Sequence, residues 1–378
     1  MDGAKTVGHT VREMAVHVVH IPARATHSHG TGDVAGINAV LLELTTESGL
    51  TGWGEASPWP VFTGTVEANV AALHTHLRPV VVGANPVAVE PTMAAARARL
   101  VGHTEAMAAL ECALLDLCGQ IAGLPIAELL GGRHRATIPL SFSIANPDFE
   151  ADLEDVAALW ADGVRLFKVK TGFAGHAFDL MRLERLRARY GAEIDLRVDY
   201  NQGLPAPDAI RTVRDLEAFR PTFVEQPVKR HERAALAAIT AAVDVPIMAD
   251  EAVFGPDEAL IAADLRLCDI ISLKVAKSGG ARRALYNAAI AEAAGMGVYG
   301  GCMFETSIAH AAGAHLMAAV GPLTLGCEFY MSTYYATVDI AEAPFPVAKG
   351  AVIVPTAPGL GVRPDAQKLA AHRTAVYR

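Results

Sequence analysis

The 378-residue sequence predicts an α/β fold, a (β/α)8-type TIM barrel with an α+β capping domain. From about residue 136 onward, short apolar strand candidates alternate with Ala-rich helical stretches, which is typical of parallel βαβ units. Eight strand candidates occur, and eight such units close into a barrel, whereas an open sheet usually has fewer strands. The N-terminal third lacks this alternation, so we expect it to form a separate part of the molecule.

The predicted barrel strands are short and apolar, and one helical stretch separates each from the next. The strands are IPLSFSI (138–144), RLFKVK (165–170), DLRVDY (195–200), TFVEQ (222–226), VPIMAD (245–250), DIISLK (269–274), GVYGG (297–301) and LTLGCEF (323–329). The helical stretches are 147–161, 176–190, 205–219, 231–242, 256–264, 280–295 and 306–319.

The N-terminal part has the alternation of antiparallel strands at 11–20 and 37–45, with TESGLTGWGE as a hairpin connection and further strand. Helices are predicted near 65–78, 86–100 and 104–122. The tail contains VIVPTAPGLGV, which has strand and turn character. We therefore expect a capping domain at 1–130, a barrel domain at 131–340, and a C-terminal segment at 341–378 that returns to the cap.

Composition argues against several classes of protein. Hydrophobic residues make up 52% and charged residues 19% of the chain, which permits a large core and disfavours disorder. The net charge is −9 and no stretch is dense in Lys or Arg, so nucleic acid is not an expected partner. The five cysteines show no CxxC spacing and are odd in number, which is typical of reduced residues in a cytoplasmic protein.

One segment raises the question of a membrane span. Residues 306–327 contain no Asp, Glu, Lys or Arg and are long enough to cross a bilayer. The segment also contains His310, His315 and a Gly-Pro break, so we interpret it as a buried helix followed by a strand. The N-terminus has no apolar stretch flanked by basic residues, so no secretory signal is expected.

Acidic residues end three consecutive strands. Asp199, Glu225 and Asp250 are 26 and 25 residues apart, which is about one βα unit each. Successive strand ends of a barrel meet at one mouth, where such barrels place their active sites. Three unpaired carboxylates would repel one another there, and a divalent cation would remove the repulsion. Oxygen ligands favour Mg²⁺, or Mn²⁺, over zinc. For each acid alone, the alternative is a strand-end cap or a salt bridge.

Three lysines fit the same arrangement. Lys168 and Lys170 are separated by one residue in a strand, so both should point to the same face. Lys274 ends the sixth strand, across the barrel from the second. A lysine is a general base only when neutral, and the positive charge of Lys168 and of a metal would lower the pKa of Lys170. We therefore predict that Lys170 and Lys274 flank the metal; alternatively, one lysine of the first pair extends to solvent.

The motifs KVK, VDYNQ, VEQP, ADE and SLK, in this order, resemble the enolase superfamily. The KxK motif with a late lysine is similar to its muconate lactonizing enzyme subgroup, as are GWGEAS, ALECALLDLCGQIAGLPIAELLGG and VPTAPGLGV. The resemblance covers nearly the whole chain and implies a modified (β/α)7β barrel and a homo-oligomer.

The resemblance also implies roles for individual residues. Asp199, Glu225 and Asp250 would be the metal ligands, with Mg²⁺ or Mn²⁺ as the cofactor. Lys170 and Lys274 would be the acid–base pair, with Lys168 as an auxiliary cation. Asn201 and Glu251 match positions that, in this family, usually contact the metal ligands but not the metal itself.

These parts imply proton transfer at a carbon next to a carboxylate, with an enolate stabilised by the metal. We predict a muconate cycloisomerase-like enzyme that interconverts a muconate-type dicarboxylate and its lactone. LGCEFYMSTYY (325–335) is similar to the last barrel segment of muconate cycloisomerases. The alternatives on the same chemistry are an N-acylamino acid racemase, an o-succinylbenzoate synthase and a dehydratase. A dipeptide epimerase is less expected because an Asp-x-Asp motif near the seventh strand is absent.

Substrate contacts are predicted in two segments. The cap loop at 21–32 offers Arg24, His27 and His29 to a second carboxylate; the alternative is a solvated loop, and the HSH pair lacks the further ligands of a zinc site. GGCMFET (300–306) places Met303 and Glu305 near the mouth.

Two predictions from other classes remain open. A Schiff-base aldolase would use one lysine covalently and would be indifferent to a chelator. A non-catalytic barrel would bind the metal without exchanging any substrate proton.

Overall fold

The computed structural model describes residues 8–321 and 325–378. It confirms the predicted fold class: a parallel sheet curls into a barrel, and a separate antiparallel sheet caps it.

The capping sheet is built mainly from the N-terminal part of the chain. Its first strands are β1 (Val11–His29), β2 (Gly32–Thr46) and β3 (Thr51–Ala56), which pair in this order. The helices that follow are α1 (Val66–Ala71), α2 (Arg78–Val81), α3 (Val89–Arg99), α4 (Thr104–Ala122) and α5 (Ile126–Leu129). A π-helical segment, Ala72–Leu77, connects the first two of these helices.

Helix α4 is buried over most of its length and packs directly against β3. A Cβ atom at Gly54 would lie only 1.9 Å from the carbonyl oxygen of Ala109. Glycine is therefore required where this strand crosses the helix.

The barrel follows a short strand, β4 (Thr137–Pro139). Its strands are β5 (Ser141–Ile144), β6 (Leu166–Lys170), β7 (Asp195–Asp199), β8 (Val224–Glu225), β9 (Ile247–Ala249), β10 (Ile270–Leu273) and β11 (Gly297–Gly300). The helices are α6 (Phe149–Ala161), α7 (His176–Tyr190), α8 (Ala206–Leu216), α9 (Arg233–Ala242), α10 (Pro256–Asp264), α11 (Val275–Ser278), α12 (Ala281–Ala293) and α13 (Ser307–Ala319). A 3₁₀ turn, Glu217–Phe219, extends α8, and a π-helical segment, Met331–Tyr335, lies beyond α13.

The barrel is closed by a residue of the eighth predicted strand, LTLGCEF. Part of this strand lies outside the described residues, which do not include 322–324. Cys327 forms parallel bridges to Leu140, next to β5, and to Gly300 of β11. The N–H of Ser141 donates to the Cys327 carbonyl at 2.7 Å. One residue thus joins the first strand of the barrel to the seventh.

The C-terminal tail adds a strand to the capping sheet and forms a small three-stranded sheet with β4. It contains β12 (Val347–Ala348), β13 (Ala351–Ile353), α14 (Ala366–His372) and β14 (Arg373–Tyr377). Strand β13 pairs with β4, and β14 pairs with β1 at the edge of the capping sheet. The domain limits at residues 130 and 340 remain predictions.

The prediction of a loop at 21–32 is wrong for most of this segment. Strand β1 continues to His29, and only Gly30 and Thr31 form the turn to β2. The register shifts between Pro22 and His27, so the strand bulges where its partner offers no matching residues. The long hairpin was not apparent because the irregular stretch interrupts the alternation on which the prediction relied.

No helix in the described part of the chain is both long and apolar enough to cross a membrane. The apolar segment that raised this question forms the buried helix α13.

Candidate active site

The six residues predicted to carry the chemistry are brought together at the C-terminal mouth of the barrel. They are Lys168 and Lys170 on β6, Asp199 on β7, Glu225 on β8, Asp250 after β9 and Lys274 after β10. Lys170 lies opposite Asp199 in the sheet register, and Asp199 lies opposite Glu225. The parallel pairing of neighbouring strands therefore brings these side chains together.

The alternation of β6 separates its charged side chains from its apolar ones. Phe167 and Val169 are fully buried in the apolar core. The ammonium groups of Lys168 and Lys170 instead share Asp199, at 3.4 and 2.6 Å from its Oδ2. Both lysines thus point to the same face of the strand.

Lys170 and Lys274 approach the carboxylates from opposite sides. Lys170 Nζ lies 2.6 Å from Asp199 Oδ2, and Lys274 Nζ lies 2.6 Å from Asp250 Oδ2. Three strands, β7, β8 and β9, separate β6 from β10. A small molecule at the centre of the mouth would therefore have one of these lysines on either side.

Lys168 has a further carboxylate partner that the sequence analysis did not identify. Its ammonium group lies 2.7 Å from Glu225 Oε2 and 2.5 Å from Glu328 Oε2. Burial alone would lower the pKa of Lys168, but the charges of Glu225 and Glu328 raise it well above its usual value. Lys168 is thus a fixed positive charge. Glu328 ends the eighth predicted strand, and the strand-end rule applied to the other acids would have found it.

Asp250 is also held by residues that were given no role. Lys277 Nζ lies 2.8 Å from Asp250 Oδ1 and 2.7 Å from its carbonyl oxygen. The Gln226 side-chain carbonyl accepts the backbone N–H groups of Asp250 and Ala252, both at 3.0 Å. Lys277 follows Lys274 by three residues on one helical turn, a spacing that could have indicated its position.

Asn201 and Glu251 lie beside the carboxylates. Asn201 adopts a left-handed backbone, φ 43°, which Asn tolerates better than most residues. This turn brings its N–H to Asp199 Oδ1 at 2.8 Å, and its side-chain oxygen accepts from Lys170 at 3.0 Å. Glu251 is buried, and its Oε1 lies 3.5 Å from the Asn201 amide nitrogen.

The three carboxylates fit a divalent cation. Glu225 Oε1 and Glu251 Oε2 are buried and have no hydrogen-bond donor among the described residues. Buried acceptors without a partner are costly, and a cation would satisfy them. The donor set consists of carboxylate oxygens, which suits Mg²⁺ or Mn²⁺.

The pKa values of the three acids are shifted in different directions, and the shift of Glu225 also indicates a need for further positive charge. Burial would raise the pKa of Asp199, but Lys170 and Lys168 lower it to about 2. For Asp250, Lys274 and Lys277 similarly outweigh burial and lower the pKa. Burial, together with the charge of Asp199, instead raises the pKa of Glu225 well above its usual value. The lysines thus outweigh burial at Asp199 and Asp250 but not at Glu225, where further positive charge would favour the charged form.

A narrow cavity lies between Lys170 and Lys274. Its volume is about 30 Å³. Part of its wall consists of aromatic and methionine side chains, namely His27, His29, Trp59, Phe62, Met303, Phe304 and Met331. Three of the residues predicted to contact substrate, His27, His29 and Met303, thus line the cavity. Burial and the nearby Lys170 lower the pKa of His29 to about 3 and also lower the pKa of His27, so both rings are neutral.

The other two predicted substrate residues lie elsewhere. Arg24 lines a neighbouring cavity, and its Nε donates to the Ala336 carbonyl at 2.9 Å. That cavity has a volume of about 240 Å³, and His27 lines both cavities. Glu305 is buried, with an oxygen 3.9 Å from His310 Nε2, and is not among the residues that line the narrow cavity.

The arrangement is suited to moving a proton. A cation at the carboxylates would stabilise negative charge that develops on a substrate carboxylate. Lys170 and Lys274 can each reach a carbon held between them, one on each face.

Comparison with known proteins places the chain in a family. Residues 11–131 match the family model described as "Mandelate racemase / muconate lactonizing enzyme, N-terminal domain", and residues 151–368 match "Enolase C-terminal domain-like". The chain is similar to a muconate cycloisomerase of known structure from Azorhizobium caulinodans, with 44% identity, a TM-score of 0.86, and coverage of 98% of this chain and 99% of that chain.

Two further relatives are named for reactions that differ from each other. The structure of muconate lactonizing enzyme from Pseudomonas fluorescens, complexed with muconolactone, is 30% identical, has a TM-score of 0.92, and is matched over 97% of this chain and 99% of that chain. An L-Ala-D/L-Glu epimerase from Clostridium acetobutylicum is 32% identical over 82% of this chain and 87% of its own length. The resemblance predicted from the motifs is confirmed: the chain belongs to the muconate lactonizing enzyme subgroup of the enolase superfamily.

Proposed function

We propose that this protein is a metal-dependent isomerase that transfers a proton at the carbon next to a substrate carboxylate. The observation that carries the proposal is the position of Lys170 and Lys274. Each lies 2.6 Å from a carboxylate of the same barrel mouth, and they approach it from opposite sides. The same arrangement does not favour a Schiff-base aldolase, because both ammonium groups are ion-paired with carboxylates suited to a metal.

In this proposal Asp199, Glu225 and Asp250 would hold Mg²⁺ or Mn²⁺, and the bound cation would stabilise negative charge on the substrate carboxylate. Lys170 or Lys274, when neutral, accepts the proton from the adjacent carbon, and its ammonium form returns a proton. Lys168 remains charged between Glu225 and Glu328 and fixes the position of both. Asn201 orients Lys170 through its side-chain oxygen.

We favour interconversion of a muconate-type dicarboxylate and its lactone. In the lactone direction, a carboxylate oxygen adds to the conjugated double bond, and a lysine protonates the carbon next to the other carboxylate. In reverse, the lysine removes that proton, and the electron pair expels the ring carboxylate. No oxidant or second substrate is needed. Two of the similar proteins described above have this activity in their names.

Racemisation or epimerisation is the second candidate. A base on each face of one carbon is what inversion requires, because one lysine removes the proton and the other delivers it on the opposite side. Lactonisation uses one proton transfer on one face, and the opposite lysine then stabilises the negative charge that develops on the substrate. The similarity to the epimerase from Clostridium acetobutylicum is consistent with this candidate.

Proton NMR in D₂O distinguishes these reactions. The purified protein is incubated with Mg²⁺ or with EDTA and a panel of carboxylates: muconolactones, N-succinyl and N-acetyl amino acids, dipeptides and hydroxyproline derivatives. Muconate loss is followed separately by ultraviolet absorbance. Metal-dependent exchange of a lactone together with muconate loss is the expected result. Exchange confined to amino acid derivatives would replace lactonisation with racemisation or epimerisation. Absence of exchange on the whole panel would contradict the proposal, and trapping of a lysine by borohydride would then support the aldolase.

A further inference from the structure

Two buried glutamates of the capping part lie next to the cavity but outside the group of charged residues described above. Glu55 is on β3 and is 5% exposed, and Glu105 is in the first turn of α4 and is 1% exposed. In the described part of the chain, neither forms an ion pair with a lysine or arginine. Buried carboxylates are costly unless hydrogen bonds compensate them, so their partners indicate what they do.

Glu105 holds both ends of the segment 57–64. Its Oε2 accepts the backbone N–H of Ser57 at 2.7 Å, and its Oε1 accepts the hydroxyl of Thr63 at 2.8 Å. The Thr63 oxygen in turn accepts the N–H of Trp59 at 3.2 Å. The Trp59 carbonyl accepts the N–H of Phe62 at 2.9 Å, so the segment is a closed turn.

Glu55 holds the segment that leads into α13. Its Oε1 accepts the N–H of Thr306 at 2.8 Å. Its Oε2 accepts the N–H of Ala309 at 3.0 Å and also accepts the hydroxyl of Thr306. Thr306 is the N-cap of α13, so a carboxylate lies at the positive end of the helix, where it is favourable. The hydroxyl of Ser57 donates to the same Oε1 at 2.6 Å and connects the two glutamates.

The two held segments supply part of the cavity wall, and the first of them contacts Lys274. Trp59 and Phe62 come from the first segment, and Met303 and Phe304 come from the second. The Trp59 and Phe304 rings are 5.7 Å apart, and Lys274 Nζ lies 4.9 Å from the Phe62 ring. A shift of either segment would therefore change the space available to substrate and the exposure of this lysine to water.

We propose that Glu55 and Glu105 are positioning residues that hold segments 57–64 and 302–309 against each other, and so set how well substrate fits beside Lys274. The expected effect on substrate binding rests on the proposed function, whereas the holding of the two segments does not depend on it. Neither glutamate lines the cavity, so neither touches substrate or the transferred proton. Their loss should weaken substrate binding more than it slows proton transfer.

The test compares Glu105→Ala, Glu105→Gln and Thr63→Val with the exposed control Glu47→Ala. Amide hydrogen exchange measured by mass spectrometry should become faster in 57–64 for Glu105→Ala, while the barrel strands stay as in the wild type. Glu105→Gln should restore most of the protection, because its amide oxygen still accepts from Ser57. Thr63→Val removes only the hydroxyl link and keeps the experiment informative if Glu105→Ala fails to fold.

Kinetics supply the second measurement. Loss of a hydrogen bond to a charged group should raise KM about tenfold or more, with kcat changed by less than about threefold. Glu55→Gln should give the same split, with faster exchange in 302–309, because each Glu55 oxygen accepts a backbone N–H and the NH₂ group of Gln cannot accept one. Unchanged exchange in both segments would overturn the proposal, as would a fall in kcat at constant KM. If no panel substrate reacts, the proposed function fails, and the exchange data still decide whether the glutamates hold the segments.

Discussion

Replacement of Lys277 by Met tests whether this lysine stabilises the buried carboxylate of Asp250. Lys277 is fully buried, and its ammonium group bonds both the side chain and the carbonyl of Asp250. Lys274 takes the other carboxylate oxygen at 2.6 Å. Met fills the volume of the lysine stem but leaves Asp250 Oδ1 and the carbonyl without a donor.

The magnitude follows from the loss of one partner of a buried pair, which costs about 3–5 kcal/mol. An unfolding entropy of about 2.1 cal/mol/K per residue gives about 0.8 kcal/mol/K for a 378-residue chain, so Tm should fall by about 4–6 °C. Part of this loss should be recovered in saturating Mg²⁺, because the cation supplies positive charge to the same carboxylate.

Differential scanning calorimetry in EDTA and in Mg²⁺ measures both effects, with Lys229→Met as the control because Lys229 is exposed. The increase in Tm on adding Mg²⁺ should be larger in Lys277→Met than in the wild type. An unchanged Tm in EDTA would refute the structural role of Lys277. An equal loss with and without metal would refute the assignment of Asp250 as a ligand.

Two further predictions concern the fold. Burial raises the pKa of Glu111 to about 7, so the folded state binds this proton more tightly than the unfolded state does, and stability is lost as pH rises from about 4.5 to 7. Gln cannot ionise, so Glu111→Gln should gain about 3 kcal/mol relative to the wild type across this range in urea unfolding, and a pH-independent difference would contradict the assignment. Gly54→Ala should destabilise the protein by about 3 kcal/mol or more, because the added methyl group would meet the backbone oxygen of Ala109. Gly255→Ala, where the nearest atoms are flexible side-chain ends, should cost much less; equal losses in urea unfolding would show that the close approach of β3 to α4 is not the cause.

The barrel and the centre of the site could be predicted from the sequence because both depend on the regular spacing of residues along the chain. One βα unit separates each of the acids Asp199, Glu225 and Asp250 from the next, and parallel strands convert this spacing into proximity. Alternation along β6 likewise places Lys168 and Lys170 on one face.

Contacts between distant segments could not be predicted in the same way. Glu55 and Glu105 bond residues of segments whose approach is set by the packing of the cap on the barrel. Arg24 was assigned from its charge and its place in the chain, but the bulge in β1 turns it toward Ala336. Pairings of this kind depend on the folded structure and leave no periodic signal in the sequence.

The most direct test of the two-lysine site is substrate proton exchange in D₂O by Lys170→Ala and Lys274→Ala, with Mg²⁺ binding measured by calorimetry on the same samples. Both variants should retain the metal, because Asp199, Glu225 and Asp250 remain, and both should lose turnover by about 10²-fold or more. A variant that loses turnover but still exchanges the proton would identify the other lysine as the base. Full turnover in either variant, with the metal bound, would contradict the assignment of the two lysines as the acid–base pair.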